Sequence, residues 1–307
     1  KLMPADEKLM PADEKPTHLT NQRFNQFDLQ PELLKGVDKA GFHYCTDIQA
    51  ETLPLVLAGT DVAGQAHTGT GKTAAFLLAI YQRLLTRPFK ESQTKNSVRA
   101  VVLAPTRELA IQIHNDAQIL GAFTSLRLGL VYGGTAYQKQ REDLAAGVDI
   151  LIGTPGRLID YFKQGIFNLK SIEVVVLDEA DRMFDLGFIK DIRYVLRRMP
   201  PPDKRLNMLF SATLSYRIKE LAYEHMNDPR TVTIASSTPV ASGLIEQIYY
   251  PANSEKFALL LGIIDQTRGK RMLIFANTRN ACDQLGRGLS LHNYSNGVLS
   301  GQVPQRK

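Results

Sequence analysis

Six short apolar runs, each followed by a stretch with helical patterning, constrain this chain most. They are "DVAGQ" (61–65), "AVVLAP" (100–105), "LGLVYG" (128–133), "DILIGT" (149–154), "VVVLD" (174–178) and "NMLFSAT" (207–213). Their apolar residues are continuous rather than alternating, so both faces of each strand need cover, as in a parallel sheet. Segments such as "TAAFLLAIYQRLL" (73–85) and "TRELAIQIHNDAQIL" (106–120) supply amphipathic helices between them. Strands alternating with helices predict an α/β doubly wound sheet, with ligands at the carboxyl ends of its strands.

Two of these strand ends carry recognisable chemistry. "AHTGTGKT" (66–73) lies between the first strand and the first long helix, and it matches a phosphate-binding loop except for Ala66 at its first position. Gly69 and Gly71 let the backbone curl so that successive N–H groups converge on phosphate oxygens, and the helix N-terminus adds partial positive charge. Lys72 can reach the β- and γ-phosphates, and the Thr73 hydroxyl can ligate Mg²⁺. Ala66, His67, Thr68 and Thr70 complete the nucleotide-binding loop. A glycine-rich turn of no special purpose is the competing reading, but strand, loop, Lys-Thr and helix stand here in the required order.

The second is "VVVLDEAD", where four apolar residues run into Asp178, Glu179 and Asp181. Neighbouring acids repel, so they call for solvent or a cation. Beside a phosphate loop, Asp178 suits a metal ligand, and Glu179, one residue on, suits polarising an attacking water. Lys72, Asp178 and Glu179 are therefore the candidate catalytic residues, with Thr73 and Asp178 as candidate metal ligands.

Bulk properties limit the alternatives. The 307 residues suffice for two domains, and a net charge of +6 favours an anionic partner without naming one. Cys45 and Cys282 are far apart and in no metal-ligand spacing, which fits a reducing cytosol. The apolar runs are strand-sized, so no membrane span is expected, nor is a signal peptide. "KLMPADE" occurs twice, at 1–7 and 8–14, with prolines that break any helical turn, so residues 1–20 read as a tag-like or disordered tail. A first domain is expected over 21–234. "ASSTPVASG" (235–243) has linker composition, and 244–307 starts a second domain of about three strands, among them "RMLIFAN" (271–277). A sheet that small is incomplete. "RRMPPPDKR" (197–205) reads as a solvated surface loop, and His114 and Met183 as packing residues.

"DEAD" (178–181), "SAT" (211–213) and "PTRELA" (105–110) together resemble the DEAD-box RNA helicase family, over residues 24 to 305. The resemblance implies two RecA-like domains of the P-loop NTPase class, the second truncated here, with ATP and Mg²⁺ as cofactors. "GFHYCTDIQ" (41–49) resembles the family's adenine-reading motif, which implies that Gln49 bonds the adenine edge while Phe27 stacks on the base. Asp47 stands where the family usually has Pro, implying a less rigid loop before Gln49. "GG" (133–134) and "TPGRL" (154–158) are further RNA motifs, and "LIFANT" (273–278) resembles one of the second domain. "GQVPQRK" ends inside the next, so the arginines that complete the family's ATP site lie outside this sequence.

Pro105, Thr106, Arg107, Gly133, Gly134, Thr154, Pro155, Gly156 and Arg157 all fall at predicted strand ends. Their N–H, hydroxyl and guanidinium donors suit phosphate and 2′-hydroxyl contacts, which position RNA without reading its sequence. Asp181, Ser211 and Thr213 would couple the nucleotide site to domain closure. Longer runs, such as "LDEADRMFDLGFIKDIRYVLRRMP", narrow the resemblance to the branch serving the bacterial RNA degradosome, implying a cytoplasmic protein with RNase E as partner. Two rival readings remain: an RNA-binding clamp without significant turnover, and a DNA helicase of the same superfamily.

Overall fold

The computed structural model describes residues 19–67, 69–87, 96–134, 137–234, 245–267 and 271–300. The tail at 1–18, the linker 235–243 and Thr68 lie outside these. The chain divides into two compact units, Lys1–Ser236 and Ser237–Lys307.

The first unit is built on β1 (Val62–Gln65), β2 (Ala100–Leu103), β3 (Leu128–Val131), β4 (Ile150–Gly153), β5 (Val174–Leu177), β6 (Leu206–Ser211) and β7 (Arg230–Thr233). They form one sheet in the order β3-β4-β2-β5-β6-β1-β7, with every pairing parallel. Six strands fall where apolar runs predict them. β7 was not foreseen: of its four residues only Val232 is buried, so it offers an edge strand's weak signal.

Nine helices of this unit cover the sheet: α1 (Pro31–Lys39), α2 (Asp47–Leu57), α3 (Lys72–Thr86), α4 (Arg107–Leu120), α5 (Tyr137–Ala145), α6 (Pro155–Lys163), α7 (Ala180–Asp185), α8 (Ile189–Leu196) and α9 (Tyr216–His225), counted among the described residues. Strand side chains alternate between two cores. Val102, Val174, Val176, Met208 and Phe210 join one with α1–α4. Val101, Leu103, Val175, Leu177 and Leu209 join the other with α6–α9. This double burial explains the continuous apolar runs. Phe210, fully buried, packs its ring 5.7 Å from Phe76. Burying such a ring contributes ~2–3 kcal/mol.

A buried polar network ties β1 to β6 at the opposite edge from the carboxyl ends. Asp61 accepts from the Asn207 N–H at 2.8 Å, the Asn207 amide at 2.7 Å and the Asn227 N–H at 2.7 Å. Arg205 donates to Asn207 Oδ1 at 2.7 Å and to the Leu196 and His225 carbonyls. Burial pulls the Arg205 guanidinium down to about 10. The 197–205 stretch is therefore not wholly a solvated loop: Met199 and Arg205 are interior, because the start of β6 needs its polar partners covered.

The second unit holds α10 (Lys256–Gln266) and α11 (Arg279–Leu291). The strands expected there, including 271–277, are not formed among its described residues. Leu273 and Phe275 are exposed, with no partner strand beside them to satisfy an extended backbone.

Candidate ATP and RNA site

The parallel order divides the carboxyl edge of the first unit's sheet into two neighbouring regions. β1, β5 and β6 deliver the phosphate loop, the acids and the Ser-Ala-Thr turn. β2, β3 and β4 deliver the three stretches expected to meet RNA.

After β1 the chain turns through Ala66 and His67 into α3. Gly69 and Gly71 take φ of 86° and 88°, the left-handed region that glycine enters without strain. A Cβ at Gly71 would also stand 2.5 Å from Gln49 Nε2. The Thr70 hydroxyl donates to the His67 carbonyl at 2.8 Å, closing the loop on itself. Lys72 opens α3 and is buried, its Nζ 2.8 Å from Asp178 Oδ1. Thr73 follows in the first turn.

Asp178 is fully buried at the end of β5. Oδ1 accepts from Lys72 and from the Glu179 N–H at 2.9 Å. Oδ2, equally buried, has no hydrogen-bond partner. Burial pushes this carboxyl above its ordinary value, and the Lys72 charge works against that push. Glu179 adopts φ 50° and ψ 53°, left-handed for a residue with a side chain, which costs ~1–2 kcal/mol. That turn starts α7 immediately after β5 and keeps Asp178 and Glu179 adjacent. The Glu179 carboxylate lies 3.4 Å from Arg182 Nη1.

Asp181 reaches across to the turn after β6. Its Oδ2 accepts from the Ala212 N–H at 3.1 Å and the Thr213 N–H at 3.2 Å, while its own N–H donates to the Ser211 hydroxyl at 3.3 Å. The Ala66 N–H donates to the Ser211 carbonyl at 3.0 Å, so this turn touches the phosphate loop as well.

A cavity of about 480 Å³ opens beside the loop, lined by Gln49, Gly71, Lys72 and Thr73 with Phe42 and Tyr44. Gln49 is buried, its Oε1 accepting from the Thr46 N–H and its Nε2 donating to the Gly71 carbonyl, both at 2.9 Å. Asp47 begins α2, where an acid suits the helix dipole. Phe27 is half-buried against the main core and is not among the residues lining the cavity; Phe42 and Tyr44 are the aromatics there. Sequence reasoning passed over these two, although both stand inside "GFHYCTDIQ".

On the other side of the edge, Thr106 caps α4 and Thr154 precedes α6, so two helix N-termini face the same way. Pro105 and Pro155 are buried and stiffen the turns rather than offering surface. Gly133, Gly134 and Gly156 are exposed, and Gly134 has φ 102°. Arg107 lies over the Tyr132 ring at 4.6 Å. Arg157 lies over Tyr137 and Tyr161 at 4.8 and 5.5 Å. The tyrosines were not foreseen.

Residues 46–221 match the family model described as DEAD/DEAH box helicase. The chain is 56% identical over 293 residues to the ATP-dependent RNA helicase RhlB of Photobacterium profundum, covering 95% of this chain and 67% of that protein. Its identity is 55% to the RhlB of Vibrio cholerae, with the same coverage, and 54% to that of Aeromonas salmonicida, covering 95% and 68%. The crystal structure of a DEAD box protein from the hyperthermophile Methanococcus jannaschii superposes with a TM-score of 0.61 at 31% identity, covering 92% of this chain and 74% of that one. The chain belongs to the DEAD/DEAH box helicase family.

Proposed function

We propose that this chain is an ATP-dependent RNA helicase of the DEAD-box type that holds ATP at the ends of β1, β5 and β6 and grips an RNA backbone at the ends of β2, β3 and β4. The observation that carries this reading is the bridge from Asp181 to Ala212 and Thr213, because it joins the catalytic acids to a turn that also contacts the phosphate loop. A change at the nucleotide therefore has a bonded path to the rest of the edge.

Mg²⁺ fits the site: the buried, unpartnered Asp178 Oδ2 needs a positive partner, and the Thr73 hydroxyl is a second candidate ligand. Such an ion supplies positive charge to phosphate oxygens. Lys72 would hold the β- and γ-phosphates, and Glu179 would polarise the attacking water. No helix among the described residues is long and apolar enough to cross a membrane. Through the resemblance to the degradosome branch, a bacterial cytoplasmic setting and RNase E as partner are further parts of the proposal. The test is ATP hydrolysis with and without oligonucleotides. RNA is expected to stimulate it, and equal stimulation by DNA of the same sequence would favour the DNA-helicase reading instead.

Gln49 carries the nucleobase prediction. Each end of its amide has spent one bond inside the protein and keeps one more lone pair or N–H. Those remaining groups suit adenine, which presents a donor beside an acceptor, whereas guanine reverses them. ATP is expected to bind about tenfold or more tightly than GTP, and Gln49→Ala to remove most of that margin. Competition against a fluorescent ATP analogue measures it; equal affinities in the unsubstituted protein would reject adenine reading.

A further inference from the structure

Arg107 and Arg157 rest on tyrosines that flank the Gly133-Gly134 pair, Tyr132 before it and Tyr137 after it. Tyr161 adds a second layer at Arg157. It is fully buried in the second turn of α6, with its ring 5.1 Å from that of Tyr137. Its hydroxyl donates to the Tyr137 carbonyl at 2.7 Å and accepts from Arg157 Nη1 at 3.4 Å. One side chain thus ties the start of α5 to α6 and to the guanidinium. A phenylalanine would fill the same volume, so the hydroxyl is not needed for core packing. Both its bonds run toward the RNA side of the edge.

Arginine carries much rotamer entropy, and ordering it on binding costs up to ~2 kcal/mol. Here the guanidinium already lies against two neighbouring rings and a hydroxyl, with Asp160 4.0 Å away and the Arg157 side chain 15% exposed. Confinement before binding lowers the cost of meeting a phosphate.

We propose that Tyr161 is a positioning residue for RNA binding: its hydroxyl, itself anchored on the Tyr137 carbonyl, fixes Arg157 in the orientation that accepts a backbone phosphate. This rests on the reading of Arg157 as a phosphate ligand. The test is a double-mutant cycle of Tyr161→Phe and Arg157→Ala, using anisotropy of a short fluorescein-labelled oligouridine across a salt series. Thermal melting of each variant checks the fold. Arg157→Ala should weaken binding and reduce the slope of log K against log salt by about 0.7, one phosphate contact on a single strand. Tyr161→Phe should weaken binding about three- to tenfold with an unchanged slope, since it removes one hydroxyl's bonds and no charge. In the Arg157→Ala background it should do nothing further. An equal loss in both backgrounds, or no loss in the unsubstituted one, overturns the positioning role. If Arg157→Ala changes neither affinity nor slope, the phosphate reading of Arg157 fails, and the positioning role falls with it.

Discussion

Glu179→Gln is expected to leave ATP binding nearly unchanged while slowing hydrolysis by about 10²- to 10⁴-fold, the usual contribution of a positioned general base. The substitution keeps the shape and the Asp178 contact, which comes from the Glu179 backbone N–H rather than its side chain. It removes the capacity to accept a proton, together with the negative charge that faces Arg182. Binding should survive because, on the proposed reading, Lys72, Thr73 and the loop amides would meet the phosphates without Glu179. The left-handed backbone at Glu179 is retained too, so α7 and the Asp181 bridge should not shift. Single-turnover phosphate release from bound ATP, beside binding of a labelled nucleotide, separates the two effects. Hydrolysis within about tenfold of the unsubstituted protein would remove Glu179 from the chemistry.

The parts of this fold that were legible in sequence are those governed by neighbours along the chain. A strand buried on both faces announces itself as a continuous apolar run, so β2, β4, β5 and β6 could be read, and β1 and β3 were legible because they too are largely apolar. β7 could not, since three of its four residues are exposed. The apolar run at 271–277 has strand composition, but a strand exists only where another pairs with it, and the described residues of that unit supply none. The same division holds in the site. Lys72, Thr73, Asp178 and Glu179 were visible because a phosphate loop and an acid-ended strand are contiguous motifs. The coupling of Asp181 to Ser211 and Thr213 rested on resemblance, and the structure brings all three into contact. What stayed hidden is long-range packing: Phe27 turned to the core, Phe42 and Tyr44 to the cavity, and Tyr132, Tyr137 and Tyr161 to the arginines.

Lys72→Ala is expected to do two separable things, abolish tight nucleotide binding and destabilise the free protein. The first follows from losing the one ammonium that opens α3 at the phosphate loop. The second follows from Asp178, which has no exposed surface and whose only charged partner within bonding distance, among the described residues, is Lys72. Removing one member of a buried pair strands the other, at a cost of about 3–5 kcal/mol. Adding Asp178→Asn to Lys72→Ala removes the stranded charge while keeping an oxygen for the Glu179 N–H. The double variant should therefore regain most of the lost stability and none of the nucleotide affinity. Urea unfolding and labelled-nucleotide binding, both on nucleotide-free protein, read the two effects independently. Lys72→Ala that still binds ATP with its original affinity would contradict the phosphate-loop assignment. A double variant no more stable than Lys72→Ala would trace the loss to the packing of the lysine stem, and the charge-compensation argument would fail.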